Sequence, residues 1–181
     1  MTTCLGQFPW LLARHSTLGV VGYAYATSYK SRAAYRWTVE TSVYVSASCH
    51  RQHLGLRLYT ALFALLTRLQ IQSIFVCIGI PNEKSISFHK RMGFEEAGLF
   101  RRAGFKRGRW VDSLWLQKFL PEGGEDSAEG GQGQGGHPSA QAPYTESDRV
   151  LPEPVSVTAL SAEEVLEVIA RSQSQTQTQV H

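Results

Sequence analysis

Hydrophobic residues follow two different periods within the first 120 positions of the chain. In residues 37–46 (WTVETSVYVS), β-branched and aromatic residues alternate with polar ones, which predicts a β-strand. In residues 55–70 the apolar residues recur every three or four positions, which predicts an amphipathic helix. The residues on that helical face are Leu58, Tyr59, Leu62, Leu65, Leu66 and Leu69.

Shorter apolar runs complete the predicted order of elements. Residues 8–13 and 19–26 predict a β-hairpin, and the continuously apolar residues 74–80 predict a strand that is buried on both faces. Residues 85–92 predict a short helix that Gly93 ends. Two strands at about 98–105 and 110–119 flank a basic turn at 106–109. The order β-β-β-α-β-α-β-β predicts one α/β (α+β) domain over residues 1–120.

The composition changes after residue 120. Residues 121–181 begin with a long stretch of Gly, Gln, Ser and Pro, which offers too little apolar surface to offset the entropy cost of ordering. We therefore expect a disordered tail. Within it, Ser161 and Glu164 have the spacing of a capping box, and Val165, Val168 and Ile169 form a narrow apolar stripe. A short helix at 161–171 is the alternative for that segment, although it is marginal in isolation.

The net charge of the chain also changes sign after residue 120. Residues 1–120 hold 16 Lys and Arg against 5 Asp and Glu, a net +11, and the tail holds 2 against 10, a net −8. A basic domain attracts anions, which suits either a multiply phosphorylated cofactor or a nucleic acid.

Cysteine usage and hydropathy limit the cellular setting. The three cysteines are widely spaced without a CxxC pair, so we expect neither a disulfide framework nor a metal site. No apolar run reaches the roughly 18 residues that span a bilayer, and residues 1–25 lack the pattern of a signal peptide. We expect a cytoplasmic protein with no membrane partner.

The segment that joins the predicted strand 37–46 to helix 55–70 has the features of an anion site. A turn that contains glycine opens a helix, which directs free backbone N–H groups and the positive end of the helix dipole outward. His50, Arg51, His53 and Arg57 surround this turn. A pyrophosphate would fit there.

Three longer stretches, GYAYATSYKSRAAYRWTVETSVYVS, LGLRLYTALF and GIPNEKSISFHKRMGFEEAGLFRRAGFKRGRWVDSLWLQKF, resemble consecutive segments of the phosphinothricin N-acetyltransferases of the GNAT superfamily. The resemblance covers about residues 8–119. It implies a mixed sheet that is splayed open at two central strands, with acetyl-CoA as co-substrate between them. It also implies that the family's first strand and first two helices are missing, so we expect an N-terminally truncated relative.

The resemblance also assigns roles to individual residues. Glu40 matches the catalytic glutamate, which takes a proton from the acceptor ammonium, and His89 matches an active-site histidine. A carboxylate on an otherwise apolar strand loses hydration, which raises its basicity. Asn82 and Ser85 match positions near the pantetheine arm of the cofactor, and Lys30, Arg32 and Tyr35 match the wall of the acceptor pocket. The backbone N–H groups of Val43, Tyr44 and Val45 are expected to stabilise the oxyanion.

The chain departs from the family pattern at several positions. The pyrophosphate signature falls on His50, Arg51, Gln52, His53, Leu54 and Gly55, so His53 stands where the family has its first glycine. A side chain there is expected to crowd the phosphate or to strain the backbone, which would weaken CoA binding. The family's Trp-His-Asp is Trp110, Val111 and Asp112 here, which removes one titratable group.

Two other functions remain open at this point. The damaged signature fits a catalytically impaired protein that binds acyl-CoA or a partner. The segment RRAGFKRGRW, residues 101–110, interleaves aromatic and basic residues as nucleic-acid-binding surfaces do. We favour an N-acetyltransferase that acts on a small-molecule amine such as an amino acid over a nucleic-acid-binding protein. The sequence leaves undecided whether the protein forms a homodimer.

Overall fold

The computed structural model describes residues 7–121 and residue 154, so the expectations for the tail lie outside the described residues. The predicted order of elements is confirmed. The strands are β1 (Trp10–His15), β2 (Gly19–Ser28), β3 (Thr38–Val45), β4 (Ser73–Gly79), β5 (Glu95–Lys106) and β6 (Arg109–Phe119). The helices are α1 (Leu54–Arg68) and α2 (Glu83–Arg91), and short 3-10 turns lie at Ala33–Tyr35 and Ala47–Cys49.

The described strands form one mixed sheet in the order β1-β2-β3-β4-β6-β5. Neighbouring strands are antiparallel except for β3 and β4 at the centre, which are parallel. A parallel pair needs a crossover connection, and α1 supplies it. The fold class expected from the sequence, a mixed α+β domain, is therefore confirmed.

Both helices pack on the same face of the sheet, which we call the covered face. The apolar stripe of α1 lies against this face, with Tyr59, Leu62, Leu65 and Leu66 fully buried. From the strands, Val39, Ile74 and Val76 point into the same core. Residue alternation along each strand explains the pattern, because every second side chain of β3 and β4 points to this face.

The other face of the sheet, which we call the open face, carries the alternate residues. Four aromatic side chains from β1, β2 and β3 stack across it, with ring centroids 4.2 Å apart for Trp10 and Tyr25 and 5.0 Å apart for Tyr23 and Tyr44. Trp10 is 42% exposed and Tyr44 is 53% exposed. The loop between β2 and β3 packs on part of this face, where Tyr29 contacts Phe75 and Trp115.

Candidate active site

A gap opens between the two central strands of the sheet. The β3–β4 pairing covers three residue pairs, Thr38 with Ser73, Val39 with Ile74 and Glu40 with Phe75. Both strands continue beyond the last pair, β3 as far as Val45 and β4 as far as Gly79. Their carboxyl halves therefore face each other with unpaired backbone edges, which leaves N–H and C=O groups available to a ligand. This is the splayed geometry that the resemblance implied.

Glu40 lies at the point where the two strands separate. Its pairing with Phe75 is the last of the β3–β4 register, and on the other side it pairs with Thr27 of β2. The side chain is half-buried on the open face, and burial raises the pKa of the Glu40 carboxyl above its ordinary value. A carboxylate that is costly to keep ionised is a stronger base than a solvated one.

The loop between β2 and β3 brings aromatic and basic side chains towards Glu40. Tyr29 stacks on Phe75, the cross-strand neighbour of Glu40, with ring centroids 4.6 Å apart, and meets Trp115 of β6 edge-on at 6.0 Å. The Lys30 ammonium lies 5.2 Å from the Tyr29 ring and 5.7 Å from the Tyr35 ring. The loop thus holds the Lys30 ammonium against the rings of Tyr29 and Tyr35.

The structure brings together two of the three residues predicted for the acceptor pocket. Lys30 and Tyr35 belong to this aromatic cluster, whereas Arg32 is an exposed residue that immediately precedes the 3-10 turn. Sequence reasoning missed Tyr29 and Trp115, because a loop tyrosine and a strand tryptophan give no local signal that they will meet.

The turn that follows β3 leads into the N-terminus of α1. The first helical hydrogen bond runs from the Arg57 N–H to the His53 carbonyl at 3.0 Å. The three preceding amides, of Leu54, Gly55 and Leu56, therefore have no acceptor within the helix. No acidic residue lies in this first turn and no side chain caps it. The helix end keeps its positive character, as an anion site requires.

His53, the N-cap residue of α1, has φ 54° and ψ 13°, in the left-handed region. Glycine reaches this region without cost, whereas a residue with a Cβ does not. The strained backbone expected from the missing glycine is thus present. Arg51 in the same turn has φ 63°. His50 is held differently, with its Nε2 3.2 Å from the Val45 carbonyl oxygen at the end of β3.

Gly55 lies where the turn meets both walls of the gap. A Cβ built on it would lie 3.5 Å from the Phe88 ring of α2 and 3.7 Å from the Val45 side chain, both ordinary contacts. An alanine would therefore fit at this position.

The start of α2 forms the second wall, because α2 follows β4 after three residues. Asn82 is its N-cap, and its Oδ1 accepts a hydrogen bond of 3.2 Å from the Ser85 N–H. Asn82 thus caps the start of α2, and the Ser85 hydroxyl oxygen lies 3.3 Å from Nδ1 of His89 in the same helix.

His89, on α2, is a buried residue with protein partners on both ring nitrogens. Its side chain is 6% exposed, with Nε2 3.1 Å from the Tyr59 hydroxyl and Nδ1 2.8 Å from the Ser85 carbonyl oxygen. Tyr59 in turn contacts Thr41, whose side chain points to the covered face, opposite to that of Glu40. Both ring nitrogens are therefore occupied by protein groups, and the ring does not face the acceptor side. The catalytic role that the resemblance assigns to His89 stays a prediction.

The long hairpin of β5 and β6 carries the basic and aromatic segment that suggested nucleic acid. At its end Phe105 and Trp110 contact each other edge-on at 5.3 Å and are 63% and 58% exposed. The side chain of Asp112 accepts a hydrogen bond of 2.8 Å from the Arg102 N–H. Val111, which replaces the family's histidine, lies near Gly79 at the end of β4.

Neither a membrane span nor a metal cluster is found in the part of the chain that the structure describes. No helix there is long and apolar enough to cross a bilayer. Within the same residues, no group of three or more His, Cys, Asp or Glu side chains is arranged to hold a metal ion.

A mixed sheet that opens at its central parallel pair, with a helix starting at each wall of the opening, defines the class of fold. Residues 3–115 match the acetyltransferase (GNAT) domain family, and the chain belongs to that family. It is similar to phosphinothricin N-acetyltransferase of Streptomyces viridochromogenes, with 40% identity over 114 residues, which is 62% of each chain. It is also 35% identical over 113 residues to L-methionine sulfoximine/L-methionine sulfone acetyltransferase of Pseudomonas aeruginosa, 61% of this chain and 64% of the relative.

A solved structure gives the same result. The phosphinothricin acetyltransferase of Sinorhizobium meliloti, crystallised with AcCoA, superposes with a TM-score of 0.60 at 35% identity, and the match covers 70% of this chain and 67% of that one. The chain spans about three fifths of the length of the curated relatives it matches.

Proposed function

We propose that this protein transfers the acetyl group of acetyl-CoA to the amine of a small amino acid or a phosphinothricin-like acceptor. The observation that carries the proposal is the position of Glu40, a half-buried carboxylate at the point where β3 and β4 separate. The similarity to acetyltransferases that act on phosphinothricin and methionine sulfone supports the choice of acceptor class.

The pyrophosphate of acetyl-CoA would bind at the N-terminus of α1. The amides of Leu54, Gly55 and Leu56 supply donors there, and the side chains of Arg51 and Arg57 supply positive charge. Predicted contacts from His50, Gln52 and His53 belong to the same turn.

The pantetheine arm would enter the gap between β3 and β4. Backbone groups of Val43, Tyr44 and Val45 line one side of the gap, and Asn82 and Ser85 at the start of α2 line the other. In this pose the thioester carbonyl lies within reach of the β3 amides, which would stabilise the oxyanion of the tetrahedral intermediate.

Glu40 would act as the general base. It takes a proton from the acceptor ammonium, directly or through a water molecule, and the neutral amine then attacks the thioester carbon. The new C–N bond forms, the C–S bond breaks, and the CoA thiolate leaves and takes up a proton. The Lys30 ammonium, which lies over the Tyr29 ring, suits the acceptor's carboxylate, because the two groups carry opposite charges and the ammonium can donate hydrogen bonds to the carboxylate oxygens.

The mechanism needs no covalent intermediate on the protein. Cys77 lies near Glu40 on β4, and burial together with the Glu40 charge raises the pKa of its thiol. The thiol therefore stays protonated at neutral pH and is a poor nucleophile. An amine, once deprotonated, attacks a thioester without such help.

The test measures CoA release from acetyl-CoA with a panel of phosphinothricin, methionine sulfone and the common amino acids. We expect turnover with at least one acceptor, a loss of about 10²- to 10⁴-fold in Glu40→Gln, and no change in the matched variant Glu95→Gln, which removes an exposed carboxyl at the start of β5. Turnover that is equal in the wild type and Glu40→Gln would contradict the assignment.

A catalytically impaired acyl-CoA-binding protein is the second candidate. It is favoured by the strained backbone of His53 at the proposed pyrophosphate site. Calorimetric binding of acetyl-CoA without turnover on any acceptor would support this candidate over the enzyme.

We also propose a cytoplasmic location and a homodimer. The free thiols of Cys49 and Cys77 suit a reducing compartment. The exposed Leu99, Phe100, Phe105 and Trp110 of the β5–β6 hairpin suit an interface between copies. Sedimentation velocity should give a dimer at micromolar concentration, and a monomer would contradict this proposal.

A further inference from the structure

A continuous chain of hydrogen bonds crosses the covered side of the sheet, outside the proposed reaction centre. It links Thr41 of β3 to Tyr59 of α1 (Oγ1 to hydroxyl oxygen, 3.4 Å) and Tyr59 to His89 of α2 (hydroxyl oxygen to Nε2, 3.1 Å). From His89 it reaches Ser85, with Nδ1 2.8 Å from the carbonyl oxygen and 3.3 Å from the hydroxyl oxygen. Four buried or half-buried polar groups thus join the three elements that frame the gap.

The direction of each bond follows from the chemistry of the groups. The Ser85 carbonyl oxygen can only accept, so Nδ1 of His89 carries the hydrogen. Nε2 of the neutral ring is then an acceptor, and the Tyr59 hydroxyl must donate to it. The oxygen of Tyr59 accepts in turn from the Thr41 hydroxyl. All the hydrogen bonds are therefore donated in one direction, from Thr41 towards Ser85, and this pattern fixes a single tautomer of His89.

The surroundings keep His89 neutral and Tyr59 protonated. The rings of Tyr59, Phe88 and Phe94 enclose the imidazole, with centroids 5.2 to 5.5 Å from it. Burial lowers the pKa of His89 and raises the pKa of Tyr59 well above its usual range. Neither group therefore changes its charge near neutral pH, and the bond direction is stable.

The two ends of this series of hydrogen bonds, Thr41 and Ser85, lie at the two walls of the gap. Thr41 is the residue after Glu40 on β3, just beyond the last β3–β4 pair. Ser85 lies in the first turn of α2, which follows β4. A shift of the His89 ring would therefore be passed to the helix start that lines the gap, while β3 stayed in place.

We propose that Tyr59 is a positioning residue: it holds His89 in the Nδ1–H tautomer, and His89 then fixes Ser85 and the start of α2 at the distance from β3 that the pantetheine arm needs. This inference rests on the proposed binding of acetyl-CoA in the gap. His89 acts here as a structural donor and acceptor and transfers no proton to substrate.

Tyr59→Phe is the test variant, because it removes one hydroxyl and keeps the fully buried ring. Thr60→Val is the matched control: it removes a hydroxyl from the next residue of α1, whose 2.9 Å bond goes to the Leu56 carbonyl of the same helix. His89→Gln is the rescue variant, since its amide also offers one donor and one acceptor.

Binding of acetyl-CoA and of 3′-phospho-ADP is measured by calorimetry. The second ligand has the pyrophosphate and lacks the pantetheine arm. We expect Tyr59→Phe to bind acetyl-CoA about tenfold more weakly than the wild type and 3′-phospho-ADP equally well. Thr60→Val should match the wild type, and His89→Gln should stay within about threefold of it. The ¹⁵N spectrum of wild-type His89 should show the Nδ1–H tautomer.

Two results would overturn the inference: an Nε2–H tautomer in the wild type, or an unchanged acetyl-CoA affinity in Tyr59→Phe. Equal weakening of both ligands in Tyr59→Phe would indicate general damage and would also count against it. A wild type that binds neither ligand would instead refute the proposed function, and this inference with it. His89→Ala, which removes both the donor and the acceptor of the ring, is the reference for the rescue. An acetyl-CoA affinity in His89→Gln as weak as that in His89→Ala would also overturn the inference, because the hydrogen-bond pattern would then not determine binding.

Discussion

Replacing His53 by glycine should improve both the stability of the protein and its affinity for acetyl-CoA. His53 is exposed, makes no capping bond and lies at the N-terminus of α1 with φ 54°. Its side chain therefore contributes no capping contact, while its Cβ raises the energy of the left-handed backbone conformation. Glycine would remove that cost and would clear the approach to the free amides of the helix.

The magnitude follows from two opposing terms. A left-handed residue with a Cβ costs about 1–2 kcal/mol, and glycine loses about 0.5–1 kcal/mol more backbone entropy on folding than a residue with a side chain. The expected net gain in the free energy of unfolding for His53→Gly is about 0.5–1 kcal/mol. For a folded region of this size, the corresponding rise in Tm is about 3 °C.

Matched variants separate strain from ligand contact. Gln70, just past the C-terminus of α1, has φ 64°, so Gln70→Gly should raise Tm by a similar amount and leave acetyl-CoA affinity unchanged. Arg51 has φ 63° beside the proposed phosphate site, so Arg51→Gly should raise Tm but weaken binding through the lost charge. His53→Ala keeps the backbone strain and removes only the ring.

The assay combines thermal unfolding with calorimetric titration of acetyl-CoA. We expect His53→Gly to bind about threefold to tenfold more tightly than the wild type, equivalent to roughly 0.7–1.4 kcal/mol. A weaker affinity in both His53→Gly and His53→Ala would show that the His53 ring is itself a phosphate ligand. An unchanged affinity in both would mean that the pyrophosphate does not bind at this turn.

Three further predictions concern Glu40 and its surroundings. Because burial raises the pKa of Glu40 and the base must be ionised, the acid limb of the kcat/KM profile should lie above the ordinary glutamate pKa of about 4.3; a limb at or below that value would contradict the assignment. Because burial of the ionised Glu40 carboxylate destabilises the folded protein, Glu40→Gln should unfold at a higher urea concentration than the wild type at pH 7. The difference should vanish below about pH 4, and a destabilised variant at pH 7 would refute this. Cys77→Ser should retain full turnover, and a loss beyond tenfold would indicate a covalent step.

The order of elements was accessible from the sequence because it depends on local periodicity. The alternation in β3 and the helical spacing in α1 each extend over two or more turns or pleats, long enough to identify the element. Boundaries were less accurate. Strand β5 begins at Glu95, three residues before the predicted start, because glutamate has a low preference for strands and this pair joins the sheet through its pairing with β6.

The site was only partly predictable for the same reason. Glu40 was identified through the resemblance to the family, because the strand pattern alone also fits an exposed glutamate, and the turn before α1 was recognisable by its basic residues. Tyr59 was identified as one more residue on the buried helical face, and nothing local indicates that its hydroxyl meets His89, thirty positions away. The packing of α1 against α2 decides that contact, and packing cannot be read from either helix alone.

The central claim is that Glu40 provides the base for direct acetyl transfer from a cofactor bound in the gap between β3 and β4. The most direct test is single-turnover acetyl transfer by wild type and Glu40→Gln, each saturated with acetyl-CoA and the best acceptor of the panel. The account predicts equal Kd values for acetyl-CoA and a transfer rate in Glu40→Gln that is about 10²- to 10⁴-fold lower. An equal transfer rate in the two proteins, at equal cofactor occupancy, would contradict it.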